Sequence, residues 1–369
     1  MSRKYALIVI LTAIALTFPV IAQPNSPAQQ VSQISHTIID ADNPNIQYQG
    51  RVSFLNPKSP VLYWPGNYIT ARFQGSSVSV ILKDTGNNYY NVFIDGQDEK
   101  PVIIKCTKDK EIYDVAKNLE DKAHDIVIFR RTETGEGPTQ FFGFVLDNSK
   151  ELLAPDPMPM RKIEFYGDSI TSGMGNEDET RSDNANPALK NNYLAYGSMT
   201  TRNLNAQYRC ISFSGIGIIV SWYPKTMPDV YNRLNPEDSS SKWDFSKWTP
   251  DAVVINLFQN DSWRLNTLNP VPNEEQIIQA YIDFVQSIRV EYKDATIFCI
   301  LGNMDITKQG NPWPGYVKQA VKIMNDKCND KKIYTFFEPF KNTDAHPTVS
   351  EQRTMATNLT AFIKEKMNW

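Results

Sequence analysis

The sequence predicts two domains of different class: an N-terminal all-β jelly roll or β-sandwich, then an α/β domain built on a parallel sheet. Three observations predict this. Residues 37–147 read as short strands with turn punctuation and no helical periodicity. Residues 148–160 carry Pro155, Pro157 and Pro159. From 161 to 369 apolar strand-like runs alternate with amphipathic helical patterns. At 369 residues, 41% of them hydrophobic, the chain is long enough for two ordinary cores.

The first residues are expected to lie outside the fold. Arg3 and Lys4 precede an apolar stretch at 6–20, and Val20-Ile21-Ala22 offers a cleavage site before Gln23. Residues 1–22 therefore read as an export signal, which makes the mature protein periplasmic or extracellular. The apolar stretch is short for a membrane span, and nothing later is long enough. No cysteine follows it to carry a lipid.

In the β domain Ile69, Ala71 and Phe73 alternate with polar residues. Gly75 breaks the run, and Val78, Val80 and Leu82 alternate again. Asn87-Asn88 precedes a run at 89–94 that ends at Asp95-Gly96, and further strands are expected at 126–129 and 141–146. The proline segment reads as a stiff, extended linker. In the second domain strands are expected at 163–166, 208–213, 252–257, 296–301 and 333–337, with helices near 190–204, 275–291, 315–329 and 349–366. The second helix is the clearest. Asn273 and Gln276 form a cap-like pair, and Ile277, Tyr281, Phe284 and Ile288 line one face.

Charge narrows the partners. The chain carries 38 Lys and Arg against 41 Asp and Glu, and loss of Arg3 and Lys4 with the signal makes it more acidic by two. Such a balance disfavours nucleic acid and anionic membranes. Cys106, Cys210, Cys299 and Cys328 are too few and too scattered for a disulfide scaffold, so buried thiols are expected, although export permits a bridge. No spacing resembles a zinc site, and neither metal nor organic cofactor is expected.

The functional candidates gather at strand ends. Open parallel sheets place their crevices outside the carboxyl ends of the strands. Ser169 follows the first predicted strand, Gly215 the second and Asn260 the third, while Asp344 and His346 lie beyond the fifth. Ser169, in Gly167-Asp168-Ser169-Ile170-Thr171, reads as a nucleophile on a turn, although Gly-Asp-Ser is also ordinary turn chemistry. The chain has three histidines, and His346 is the one in the α/β domain, hence the candidate base. Asp344 is placed to orient the imidazole. A backbone carbonyl is the alternative orienter, with Asp344 then capping the following helix. The Ser169 and Gly215 N–H groups and the Asn260 amide would form the oxyanion hole. Trp313, Trp263 and Trp222, on loops at the same edge, are candidate sugar platforms.

These motifs resemble those of a known family. Gly167 to Glu177, reading Gly-Asp-Ser-Ile-Thr-Ser-Gly-Met-Gly-Asn-Glu, is similar to the first block of the GDSL, or SGNH, hydrolases. More closely it resembles the carbohydrate esterase family 2 acetyl esterases. Ser212-Phe213-Ser214-Gly215 matches the second block, Gln259-Asn260-Asp261 the third and Asp344-Ala345-His346-Pro347 the last. The segments at 88–96 and 124–133 resemble that family's N-terminal jelly roll, so the likeness covers nearly all of the mature chain. It implies a metal-free serine esterase that removes O-acetyl groups from plant cell-wall polysaccharides such as xylan or glucomannan, through an acetyl-enzyme on Ser169. One departure stands out. Phe258-Gln259 replaces the family's frequent Gly-Thr before Asn-Asp, which is expected to reshape the acyl-pocket wall.

Two other readings compete. A general short-chain GDSL esterase or lipase would share the site, but a lipase calls for an apolar lid that the sequence lacks. A non-catalytic carbohydrate-binding protein would leave the gathering of Ser169, Asn260 and His346 unexplained. There is no Gly-x-Ser-x-Gly elbow, His-Glu-x-x-His helix or dinucleotide fingerprint.

Overall fold

The computed structural model describes residues 36–96, 100–327 and 329–369, so the expected export signal and Cys328 lie outside the described residues. The N-terminal domain is a β-sandwich of two six-stranded antiparallel sheets. One sheet centres on Thr139–Asp147, paired with Val78–Asp84, His36–Asp40 and Val61–Leu62. The other centres on Tyr68–Gly75 and Lys122–Arg130. The alternation read from the sequence is a burial pattern here. Ile69, Ala71 and Phe73 are buried while Tyr68, Thr70, Arg72 and Gln74 are partly exposed. Phe73, Val80, Leu82, Val92, Ile126, Phe141 and Phe144 meet between the sheets. Each such side chain contributes about 1.5–3 kcal/mol by leaving water. The proline segment is more than a linker, because Leu152–Leu153 pairs with Tyr68–Gly75 and Leu152 enters this core.

The second domain holds a five-stranded parallel sheet: β1 Arg161–Gly167, β2 Ala206–Ser212, β3 Ala252–Asn256, β4 Thr296–Leu301 and β5 Ile333–Phe337. Their spatial order is β2-β1-β3-β4-β5. Helices α1 Ser169–Ser172, α2 Tyr196–Asn203, α3 Met227–Val230, α4 Gln259–Arg264, α5 Glu274–Glu291, α6 Trp313–Lys327 and α7 Val349–Met367 connect or follow them. The helix expected near 190–204 begins only at Tyr196, after short 3-10 turns at Pro187–Leu189 and Asn192–Leu194. Period-two alternation divides the strands between two cores. Val253, Ile255, Ile297 and Cys299 pack with α5 and α6, whereas Val254, Phe298 and Ile300 pack with α2 and α7. Covering both faces explains why β3 and β4 are buried throughout. Reciprocal caps start the long helices. In α5 the Asn273 and Gln276 side chains each accept from the other's backbone N–H at 2.9 Å, and Thr348 with Glu351 does the same for α7. Among the described residues no helix is long and apolar enough to cross a membrane. Cys106, Cys210 and Cys299 are buried free thiols.

The sandwich is welded to the α/β domain by buried charge. Arg51, fully buried, donates to Glu164 Oε1 at 3.2 Å and Tyr166 Oη at 3.0 Å on β1. Arg131 donates to the Lys190 and Ala188 carbonyls at 3.0 and 2.9 Å and pairs with Glu177. Lys190 pairs in turn with Glu133 and Glu136 of the sandwich. Removing one partner of such a buried pair typically costs 3–5 kcal/mol. Strand order reverses at β1, which places the natural crevice outside the carboxyl ends of β1 and β3.

Candidate active site

The turn after β1 is built from small residues. A Cβ on Gly167 would sit 2.0 Å from Thr171 Oγ1, so glycine alone lets α1 fold back on its strand. Asp168 Oδ1 accepts the Ile170 N–H at 3.0 Å and caps the helix. Ser169 is therefore its first residue, and its N–H has no acceptor among the described residues. Gly173, at φ 80°, ends the helix one turn later.

His346, between β5 and α7, reaches back to this turn. Its Nε2 lies 2.7 Å from Ser169 Oγ. The carboxylate on the other ring nitrogen is Asp183, whose Oδ1 lies 2.9 Å from His346 Nδ1 and accepts the His346 backbone N–H at 2.8 Å. This corrects the expectation for Asp344, whose side chain lines a neighbouring hollow with Ser262, Asp305, Lys308, Asn311 and Trp313. The reason is geometric. A two-residue spacing does not by itself bring a carboxylate to Nδ1, and here Asp183, at φ 52° in a surface loop, occupies that position. The His346 hydrogen bond holds the Asp183 carboxyl below the usual carboxylate value, so it is an anion and an acceptor only. Nδ1 then carries the ring proton and Nε2 presents its lone pair to Ser169.

The loop carrying Asp183 is braced throughout. Asp178 accepts from the Thr180, Ser182 and Asn184 backbone N–H groups. Arg181 bridges to Glu351 at 2.9 Å and Thr343 Oγ1 at 3.1 Å. Sandwich residue Arg131 holds the Ala188 and Lys190 carbonyls at its far end. Sequence reasoning missed Asp183. The one available signal was a run of Asp, Asn, Ser and Glu between the first block and α2, at the edge where the crevice had to lie.

Gly215 follows β2 in a turn at φ 83°, with its carbonyl accepting the Trp222 N–H at 3.0 Å and its N–H unpaired among the described residues. Asn260, on α4, links the three strand ends. Its Nδ2 donates to the Ile216 carbonyl at 2.9 Å and makes a long 3.5 Å contact with Asp168 Oδ2, while its Oδ1 accepts from Trp222 Nε1 at 3.0 Å. Ser169, Gly215, Asn260 and His346 are thus joined by direct bonds between themselves or their immediate neighbours. Burial pushes the Asp168 carboxyl up to about 7, against the pull of the Ile170 N–H and nearby His346.

The tryptophans divide. Trp222 and Trp263 are 56% and 38% exposed. Trp263 Nε1 is held by Asp305 Oδ2 at 2.9 Å, and the Arg264 guanidinium lies over Trp222 at 4.7 Å. Trp313 departs from expectation. It is 6% exposed and packs in the core against Phe258 and Tyr316 at ring-centroid distances of 4.8 and 5.7 Å. Phe258 is fully buried, with its ring packed against Tyr281 and Trp313. Among the described residues no group of three or more His, Cys, Asp or Glu is placed to hold a metal ion.

Comparison with known proteins agrees with both halves of the molecule. Residues 48–156 match the carbohydrate esterase 2 N-terminal family and residues 163–359 the GDSL-like lipase/acylhydrolase family. The chain is 34% identical to a cellulase/esterase, CelE, of Acetivibrio thermocellus over 89% of its own length, spanning 40% of that larger protein. It is 30% identical to an acetylxylan esterase/glucomannan deacetylase of Cellvibrio japonicus, covering 86% of this chain and 90% of that one. A solved family two carbohydrate esterase from Clostridium thermocellum, in complex with cellohexaose, superposes with a TM-score of 0.81 at 34% identity, over 88% of this chain and 99% of that one. With its two matched domains in the same order as the β-sandwich and the parallel sheet described above, this chain belongs to carbohydrate esterase family 2.

Proposed function

We propose that this protein is an exported serine esterase that removes O-acetyl groups from plant cell-wall polysaccharides such as xylan or glucomannan, or from their oligosaccharides. The observation that carries the reading is the chain of contacts Ser169 Oγ to His346 Nε2 to Asp183, at 2.7 and 2.9 Å. His346 takes the Ser169 proton as the oxygen attacks the acetyl carbonyl. Ionised Asp183 stabilises the imidazolium that forms. The Ser169 and Gly215 N–H groups and Asn260 Nδ2, whose second hydrogen makes only the long Asp168 contact, receive the developing oxyanion. One such donor is typically worth about 10²–10³ in turnover. His346 then protonates the departing sugar oxygen, and water repeats the sequence to release acetate. Two exposed tryptophans beside the site favour a sugar over a lipid chain. The relatives that deacetylate xylan and glucomannan give the substrate class.

The test is active-site labelling with a fluorophosphonate, located by peptide mass spectrometry, together with a substrate panel. One label per chain on Ser169, and turnover of acetylated glycans above 4-nitrophenyl acetate, is the expected result. A label elsewhere, or activity confined to the small ester, would overturn it.

A further inference from the structure

The block around Asn260 contains a second buried carboxylate that the acyl-transfer scheme does not use. Asp261 is fully buried, and no Lys, Arg or His among the described residues pairs with it. Its partners are three consecutive backbone N–H groups. Ile219 and Val220 donate to Oδ1 at 2.6 and 3.0 Å, and Ile218 donates to Oδ2 at 3.0 Å. The approach is close enough to dictate a glycine. A Cβ on Gly217 would lie 2.6 Å from Asp261 Oδ2 and 2.1 Å from the Val220 carbonyl.

Those amides belong to the turn that carries Gly215. The same turn is closed by Trp222 N–H on the Gly215 carbonyl at 3.0 Å. It is tied to Asn260 from both sides, through the Ile216 carbonyl at 2.9 Å and Trp222 Nε1 at 3.0 Å. Asn260 and Asp261 are adjacent on α4, so one short helix grips the 215–222 turn at its beginning, its middle and its end. We propose that Asp261 is a positioning residue for the oxyanion hole, its carboxylate fixing the 215–222 turn so that the Gly215 N–H and the Asn260 amide converge on the attacked carbonyl. Three aligned amide dipoles replace the counter-ion that a buried carboxylate otherwise needs. Burial still pushes the carboxyl up to about 6, a standing cost that a purely structural position would avoid with an asparagine or an apolar side chain. The inference rests on the proposed serine esterase reading and assigns a role within it.

Asp261→Asn and Gly217→Ala attack the same link from its two sides. Each is expected to lower kcat on 4-nitrophenyl acetate about 10–100-fold with KM within about threefold, the signature of a contact used mainly in the transition state. Affinity for a boronic-acid mimic of the tetrahedral intermediate should fall in proportion to kcat/KM. Amide exchange at 215–220 should speed up in both variants while that of α5 stays at the wild-type rate. If Asp261→Asn does not fold, Gly217→Ala decides. A kcat within twofold of wild type in a folded variant overturns the proposal, as does a kcat loss mirrored by KM. A wild type that releases no acetate overturns the esterase reading instead, and the oxyanion role with it.

Discussion

The turns after β1 and β3 do the same job with opposite materials. Both stop a buried strand at the sheet edge and start a short helix that carries a site residue. After β1 the work is local. Gly167 gives room, Asp168 caps, and Gly173 ends the helix. After β3 it is tertiary, for Phe258 sits at φ 87° with no side-chain cap on α4, held there by Tyr281 and Trp313. A bulky residue in that region stores about 1–3 kcal/mol of strain, tolerated only where packing over-determines it. The contrast teaches that the conformation of the first turn can be read from its own residues, whereas that of the second is set by the core around it.

Breaking the local turn should damage activity through the position of Ser169. Gly167→Ala forces Thr171 and the first turn of α1 to move, and a displacement of about 1 Å at Ser169 is expected to cost 10²-fold or more in kcat. A kcat near the wild-type value with 4-nitrophenyl acetate would mean that the turn yields without consequence.

The carboxylates beside His346 sharpen the contrast, since Asp183 too is supplied from a distant segment. Asp183→Asn is expected to lose up to about 10⁴-fold in kcat, the scale for a base in the wrong tautomer. Asp344→Asn should stay within about threefold on 4-nitrophenyl acetate, because no step of acyl transfer uses it. Reversed magnitudes would restore Asp344 as the orienter. The Asp183 hydrogen bond lowers its carboxyl pKa, so its share of stability is present above the unfolded value and lost as pH falls through the lowered one.

Phe258→Gly tests the tertiary turn by stability. Relief of strain opposes loss of a buried ring worth about 3–5 kcal/mol, leaving a net destabilisation of about 2 kcal/mol by urea unfolding. Stabilisation would show that strain dominates. A pH-dependent effect concerns Asp168. Its carboxyl, at about 7, lies above its unfolded value, so its contribution is fully present below about 4 and lost as pH rises through 7. The Tm of Asp168→Asn relative to wild type should therefore climb between pH 5 and 8, and a constant difference would contradict the account.

The same contrast governs how much was legible in the sequence. Sheet strands were readable because β3 and β4 are unbroken apolar runs, and α5 because Asn273 and Gln276 announce its start. Ser169, Gly215, Asn260 and His346 were readable because a parallel sheet must bring its carboxyl ends to one edge. Asp183 was not, since its position depends on Asp178, Arg181 and sandwich residue Arg131 together, and no spacing encodes that. Trp313 misled for a related reason. A tryptophan on a Pro-rich loop at the right edge suggests a sugar platform, but its ring turns inward to support Phe258, leaving Trp222 and Trp263 at the surface.

The most direct test is acetate release from acetylated xylan and glucomannan by wild-type protein and by folded Ser169→Ala. Release by the wild type and a loss of at least about 10⁴-fold in the variant are expected. Equal release by both, or none by the wild type from either glycan, would contradict it.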